Sequence, residues 1–88
     1  MASSNVLNYP LAELIGREVK RRRVEARMSQ VALAERCFIS GPSICVYEKG
    51  DTCPSLNSLC ALAIALDCDP GDLLPTGDEL RAVMGPTA

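Results

Sequence analysis

Few side chains in this sequence are equipped for covalent or metal chemistry. Five cysteines stand at positions 37, 45, 53, 60 and 68, and there is no histidine. The thiol count is odd. The opening residues Met1-Ala2-Ser3-Ser4-Asn5 lack the basic-then-apolar plan of a signal peptide. Both features argue against a disulfide framework and for a cytoplasmic location. No Cys-x-x-Cys pair occurs, so a zinc site lacks its usual spacing and no metal is expected. There is no glycine-rich phosphate loop and no cluster of carboxylates on one expected surface. Neither an enzyme, a cofactor nor a small-molecule substrate is expected. Acids interrupt every apolar run long enough to approach a bilayer span, so no membrane role is expected either.

What remains is charge. Residues 1–36 carry seven Lys/Arg against four acids, and residues 37–88 carry two against seven, for a net charge of −2. The basic residues Arg17, Lys20, Arg21, Arg22, Arg23 and Arg27 suit a surface that meets phosphates. Glu13, Glu18 and Glu25 are interleaved with them, and a solvated helix face is the plainer reading of the run taken alone.

The elements that position these groups follow from capping residues and apolar spacing. Pro10 suits the first turn of a helix running to about Ala26, with Leu11, Leu14, Ile15, Val19 and Val24 as its apolar stripe. Ser29 is placed to cap a helix from Gln30 to Cys37, and Ser40 one from Gly41 to Glu48 or Lys49 that Gly50 ends. Between them lies the turn Phe38-Ile39-Ser40. Leu33, Ala34, Ile39, Ile44 and Tyr47 fall where two short helices crossing steeply would touch. This is the pattern of a helix-turn-helix, whose second helix enters the DNA major groove. Ser55 caps a fourth, almost wholly apolar helix, Leu56 to Leu66, with Leu56, Leu59, Leu62, Ala63 and Leu66 toward the core. Asp69 and Pro70 open a short fifth helix ending near Leu74, and Pro75 breaks it. Thr76 and Glu79 form a capping box for a last turn.

From Ile15 to Leu74 the chain resembles the Cro/repressor (Xre-type) helix-turn-helix family. The resemblance rests on Gly16, Val19, Arg23, Ser29-Gln30, Leu33-Ala34, Ile39-Ser40, Ile44, Tyr47-Glu48-Lys49-Gly50, Pro54-Ser55, Leu59, Leu62-Ala63, Leu66 and Leu73-Leu74, with no gap. It implies an all-α, lambda-repressor-like five-helix DNA-binding domain. The expected division is a flexible arm at 1–9, the helix-turn-helix domain at 10–75 and a C-terminal segment at 76–88. Cys37, Cys45 and Cys68 stand where the family has small or apolar residues and are expected in the core, with Cys53 and Cys60 more exposed.

The resemblance also implies site residues. Ser29 and Gln30 open the second helix, where the Gln30 amide can meet a phosphate and buttress the recognition helix. Ser40, Gly41, Pro42, Ser43 and Val46 occupy the front of that recognition helix. Relatives commonly carry Gln, Arg, Asn or Thr there. In this chain only Ser40 and Ser43 have hydrogen-bonding side chains, and Val46 can pack on a thymine methyl. Lys49 and Thr52 follow with charge and a hydroxyl for a phosphate, and beside such a motif Arg17, Arg21 and Arg27 are expected to reach phosphates too. Arg23 and Glu48 match a structural ion pair between the first and third helices.

Eighty-eight residues bury a modest core, and oligomerisation is the usual remedy. Leu73, Leu74, Leu80, Val83 and Met84 are expected to form the interface of a homodimer, the alternative being a last turn folded back on the first helix. The expected function is a sequence-specific, double-stranded-DNA-binding transcriptional regulator, a repressor acting as a homodimer on a palindromic operator. The alternative is an antitoxin-like or adaptor domain that uses the same fold mainly to bind a partner protein.

Overall fold

The computed structural model describes residues 8–84, with the side chains of Asn8, Tyr9 and Met84 outside the described set. Most of the expected arm lies outside the described residues. The first helix, α1, spans Asn8–Glu25, so it begins two residues before the boundary expected at Pro10. Then follow α2 (Gln30–Cys37), α3 (Gly41–Lys49) and α4 (Leu56–Ala65), a 3-10 turn at Pro70–Leu73, and α5 (Gly77–Met84). No strand occurs among the described residues. The short fifth helix expected after Asp69 is thus a single tight turn. The last turn expected after Thr76 is a helix of eight residues.

Capping explains the starts. Ser29, Ser40 and Ser55 each sit in extended backbone and accept a bond from the N–H three residues on, at Ala32, Ser43 and Ser58. Each bond satisfies a first-turn donor that has no partner inside its helix. At α5 the capping box is complete. The Glu79 N–H donates to Thr76 Oγ1 at 3.1 Å, and the Thr76 N–H donates to Glu79 Oε1 at 2.8 Å.

The ends of α1 to α4 share one device. A left-handed residue lets the next N–H reach back five residues: Met28 to Arg23, Ile39 to Ala34, Asp51 to Val46 and Cys68 to Ala63. Only Gly50 is a glycine among the four left-handed residues; Arg27, Phe38 and Asp67 hold the others. The difference is space. All three non-glycine side chains are exposed, whereas a Cβ at Gly50 would lie 2.9 Å from the Glu13 Cα.

The core runs through Ile15, Val19, Leu33, Ala34, Cys37, Ile44, Leu59, Leu62, Ala63, Leu66 and Leu73. The principal packing pairs are α1 with α3, α2 with α3, α2 with α4, and α4 with the 3-10 turn. α1 and α3 cross closely because residue 16 has no side chain: a methyl there would overlap the carbonyl oxygen of Tyr47. Three expectations are corrected. Val24 leaves the α1 stripe and is 56% exposed, while Ala12 joins the core. Leu56 does not face the core; it is 74% exposed, because it lies on the same outward side of α4 as Ile64, which is 80% exposed. Leu73 is fully buried under α4, so it builds the core and offers nothing to an interface.

Among the thiols, Cys37 is buried and Cys68 packs at the core's margin, as expected. Cys45 is only half-buried and stands outside the core cluster, whereas Cys53 packs against it. Burial pushes the thiols of Cys37, Cys53 and Cys68 above their ordinary value. None of the five is in a disulfide. No helix among the described residues is long and apolar enough to cross a membrane.

Candidate nucleic-acid interface

The two helices of the motif begin with capped, solvent-facing first turns. Ser29 and Ser40 are both exposed, and their hydroxyls are committed to the backbone of their own helices. Ser40 Oγ also donates to Ser43 Oγ at 2.8 Å. The front of α3 therefore presents two serine hydroxyls that already bond each other, an exposed Pro42 ring, and the partly accessible Gly41 and Val46. Such a surface has little side-chain capacity for direct readout of base edges.

Behind it sits the strongest polar assembly of the molecule. Arg23, near the end of α1, donates from Nε to Glu48 Oε2 at 2.6 Å and from its Nη2 to Glu48 Oε1 at 3.0 Å. Its Nη1 donates to the Met28 carbonyl at 2.8 Å. The two side chains are 12% and 3% exposed. A planar guanidinium meeting a carboxylate through two parallel bonds is a strong and directional pairing. The hydrogen bond to Glu48 also holds Arg23 above its ordinary, already high pKa. Gln30 completes the set, its Nε2 donating to Glu48 Oε1 at 2.9 Å. One carboxylate on α3 thus holds both α1 and the first residue of α2, while Arg23 itself holds the α1–α2 connection at the Met28 carbonyl. The ion pair expected between Arg23 and Glu48 is present. The Gln30 side chain is turned to the buttressing half of its expected role. The Met28 carbonyl was missed from sequence, since nothing in residue type marks which main-chain oxygen an arginine will reach.

The basic run divides. Arg21 bonds Glu18 through Nη2 at 2.6 Å and Glu25 through Nη1 at 2.9 Å, and Arg22 bonds Glu18 at 2.8 Å. Hydrogen bonds from Arg21 first, and then Arg22, outweigh partial burial and hold the Glu18 carboxyl below its ordinary value. A phosphate at Arg21 would have to compete with two carboxylates. Arg17, Arg27 and Lys49 are exposed and have no ion-pair partner among the described residues, and Thr52 is exposed in the loop after α3. Arg27 sits in the α1–α2 connection, so the three cations do not share one helix.

The C-terminal patch is apolar and open. Leu74 is 45% and Val83 40% exposed, and Leu80 is half-buried. α5 takes part in none of the principal helix pairings. A cleft of about 200 Å³ separates its start from α1, lined by Leu14, Glu18, Asp72, Pro75, Thr76 and Glu79 among others.

A helix-turn-helix family model matches residues 19–73. Repressor protein C2 of Salmonella phage P22 is 35% identical over 66 residues, which is 75% of this chain and 30% of that protein. The HTH-type transcriptional regulator DicA of Escherichia coli (strain K12) is 37% identical over 65 residues, 74% of this chain and 47% of the relative. The chain therefore spans less than half the length of these curated relatives. Among solved structures, the restriction-modification controller protein C.AhdI from Aeromonas hydrophila superposes with a TM-score of 0.70 at 27% identity, over 72% of this chain and 96% of that one. The P22 c2 repressor, crystallised in complex with synthetic operator 9T, superposes with a TM-score of 0.66 at 34% identity, over 69% and 92%. The serine caps at 29, 40 and 55, the turn and most of the core lie within the matched residues, and the chain belongs to the Cro/repressor (Xre-type) helix-turn-helix family.

Proposed function

We propose that this chain is a sequence-specific, double-stranded-DNA-binding transcriptional regulator, a repressor that acts as a homodimer on a palindromic operator. The observation that carries the reading is the capped, solvent-facing front of α3, braced from behind by Arg23, Glu48 and Gln30, in a fold shared with a repressor crystallised on its operator. In this reading the first-turn N–H groups of α2, at Ser29 and Gln30, meet one phosphate. Lys49 and Thr52 meet another, and Arg17 and Arg27 add charge at the flanks. Ser40, Gly41, Pro42, Ser43 and Val46 face the major groove, with Val46 against a thymine methyl. Because few side chains there can read bases, spacing and DNA deformability carry much of the selectivity.

Two copies, meeting through Leu74, Leu80 and Val83, would present two recognition helices to half-sites one helical turn apart. Met84, expected in the same interface, lies outside the described side chains. The proposed site of action is the cytoplasm.

Fluorescence anisotropy with duplexes selected from a random pool tests the reading. If about six phosphates are neutralised per dimer, log affinity falls with log salt at a slope near −5. Gln30→Ala weakens specific and random duplexes alike, whereas Val46→Ala reduces the preference among sequences. The poverty of the α3 front favours a second reading, an antitoxin-like or adaptor domain that holds a partner protein. A salt slope near zero together with a co-purifying protein would select it.

A further inference from the structure

In the turn that joins α2 to α3, residue size runs opposite to what the backbone asks for. Phe38 has a φ of 57°, in the left-handed region where a bulky side chain is disfavoured and glycine is at ease. Its ring makes up for none of this inside the chain. Phe38 is 96% exposed, more than any other large hydrophobic residue among those described. Arg27 and Asp67 share the conformation, but they end in charges that water solvates. Three residues on, Gly41 lies in α3 without a positive φ, and a Cβ there would meet nothing within 4 Å. Alanine would favour the helix at that position with no steric cost. The fold would thus be better served by glycine at 38 and a side chain at 41. A lone exposed apolar residue is common. A ring held in a disfavoured conformation, with a vacated place three residues on, is not explained by the fold.

We propose that Phe38 is a specificity-determining residue whose ring packs on the C5 methyl of a thymine at the edge of the half-site, Gly41 leaving room for the duplex to come close. The assignment rests on the DNA-binding reading and adds a base contact to it. Ser40, the cap of the recognition helix, is two trans peptides from Phe38, so the two Cα atoms lie within about 8 Å of each other. The first residues of a recognition helix are the ones that contact base edges. A phenyl ring offers no hydrogen bond, and thymine is the base that presents a methyl group in the major groove. The serines at 40 and 43 are bonded to each other, so an apolar contact supplies selectivity that they do not. The surroundings decide against a protein partner. Glu35, Arg36 and Ser40 are exposed and polar, so the ring is a single apolar group and not part of a continuous apolar area such as a protein interface buries.

Fluorescence anisotropy reads the contact when the selected duplex is scanned by replacing one thymine at a time with uracil, which lacks only the methyl. At one position beside those faced by α3 the parent should lose about fourfold in affinity, the worth of one buried methyl group. Phe38→Gly should bind the thymine duplex at least about fourfold more weakly and show no further loss with uracil there. Val46→Ala should leave that loss in place. Phe38→Gly should melt no lower than the parent, since glycine suits a φ of 57° and no internal contact is given up. Gly41→Ala should also melt no lower, yet bind every duplex more weakly; unchanged affinity would overturn its part. A scan in which every uracil loss survives Phe38→Gly overturns the proposal and leaves the DNA-binding reading standing, whereas a parent that binds no duplex removes both. A Phe38→Gly variant that melts well below the parent would place the ring in the fold. One that binds all duplexes like the parent but releases a co-purifying protein would give the ring to a protein partner. Either result overturns the proposal.

Discussion

Two sets of arginine–carboxylate pairs leave α1 in different directions. Arg21 and Arg22 run along the helix surface to Glu18 and Glu25, with the Arg21 side chain half exposed. Arg23, one residue on, turns inward to Glu48 of α3, where the carboxylate is almost sealed from water. The bond lengths are alike. What differs is solvent and the sequence distance spanned. The surface set joins residues three and four apart that the helix already holds together, in a medium that screens them. The inward pair joins residues 25 apart, in a place where losing one partner strands the other. The same functional groups thus decorate one region and define the mutual positions of three helices in the other.

Removing Glu48 tests this contrast most severely. Glu48→Ala should cost about 3 kcal/mol in urea unfolding, because the Arg23 guanidinium is left buried without its counter-charge. A loss below about 1 kcal/mol would mean the pair behaves as a surface bridge and the contrast fails.

Gln30→Ala is the next in size. It leaves the ion pair intact and removes one hydrogen bond to a charged acceptor, so a loss of about 1.5 kcal/mol is expected. Double-mutant analysis with Glu48→Ala should show the two effects to be non-additive, since Gln30 has no acceptor at residue 48 once the carboxylate is gone.

Acid sharpens the surface side. Glu18 is held below the ordinary carboxylate value of 4.5, first by its hydrogen bond from Arg21. A carboxyl depressed in the folded state contributes stability above its unfolded value and loses it as pH falls through the folded one. Glu18→Gln should therefore melt slightly below the parent at neutral pH, and the gap should close in acid below that value. A gap that widens on acidification would reverse the sign and exclude the Arg21 and Arg22 pairing as its cause.

Arg21→Ala should give the smallest effect. A shift no larger than that of Glu18→Gln is expected, because Arg22 still bonds Glu18 and the Glu25 carboxylate is left exposed to solvent. Its effect on duplex affinity reads a separate matter, whether the guanidinium leaves Glu18 and Glu25 for a phosphate.

Local chemistry was legible in the sequence wherever one residue decides. The serines at 29, 40 and 55 announced three helix starts, since a hydroxyl beside unpaired N–H groups needs no distant partner. Gly50 announced one end, and the spacing of Leu33, Ala34, Ile44, Leu59 and Leu62 announced the core face. The α-helical class and the helix-turn-helix followed from these. The tertiary structure alone decided the rest. Left-handed ends at Arg27 and Phe38 carry no compositional mark and Asp67 only the weak one of aspartate's tolerance of that region, because the backbone is driven there when the next segment must turn back onto the core. Periodicity assigned Leu56 to the core and left Leu73 outside it, yet burial depends on which neighbour covers a face, and α4 covers Leu73 while nothing among the described residues covers Leu56. Likewise a run of arginines shows no inward and outward members until a carboxylate 25 residues away is brought to one of them, which takes the close crossing of α1 and α3 at Gly16.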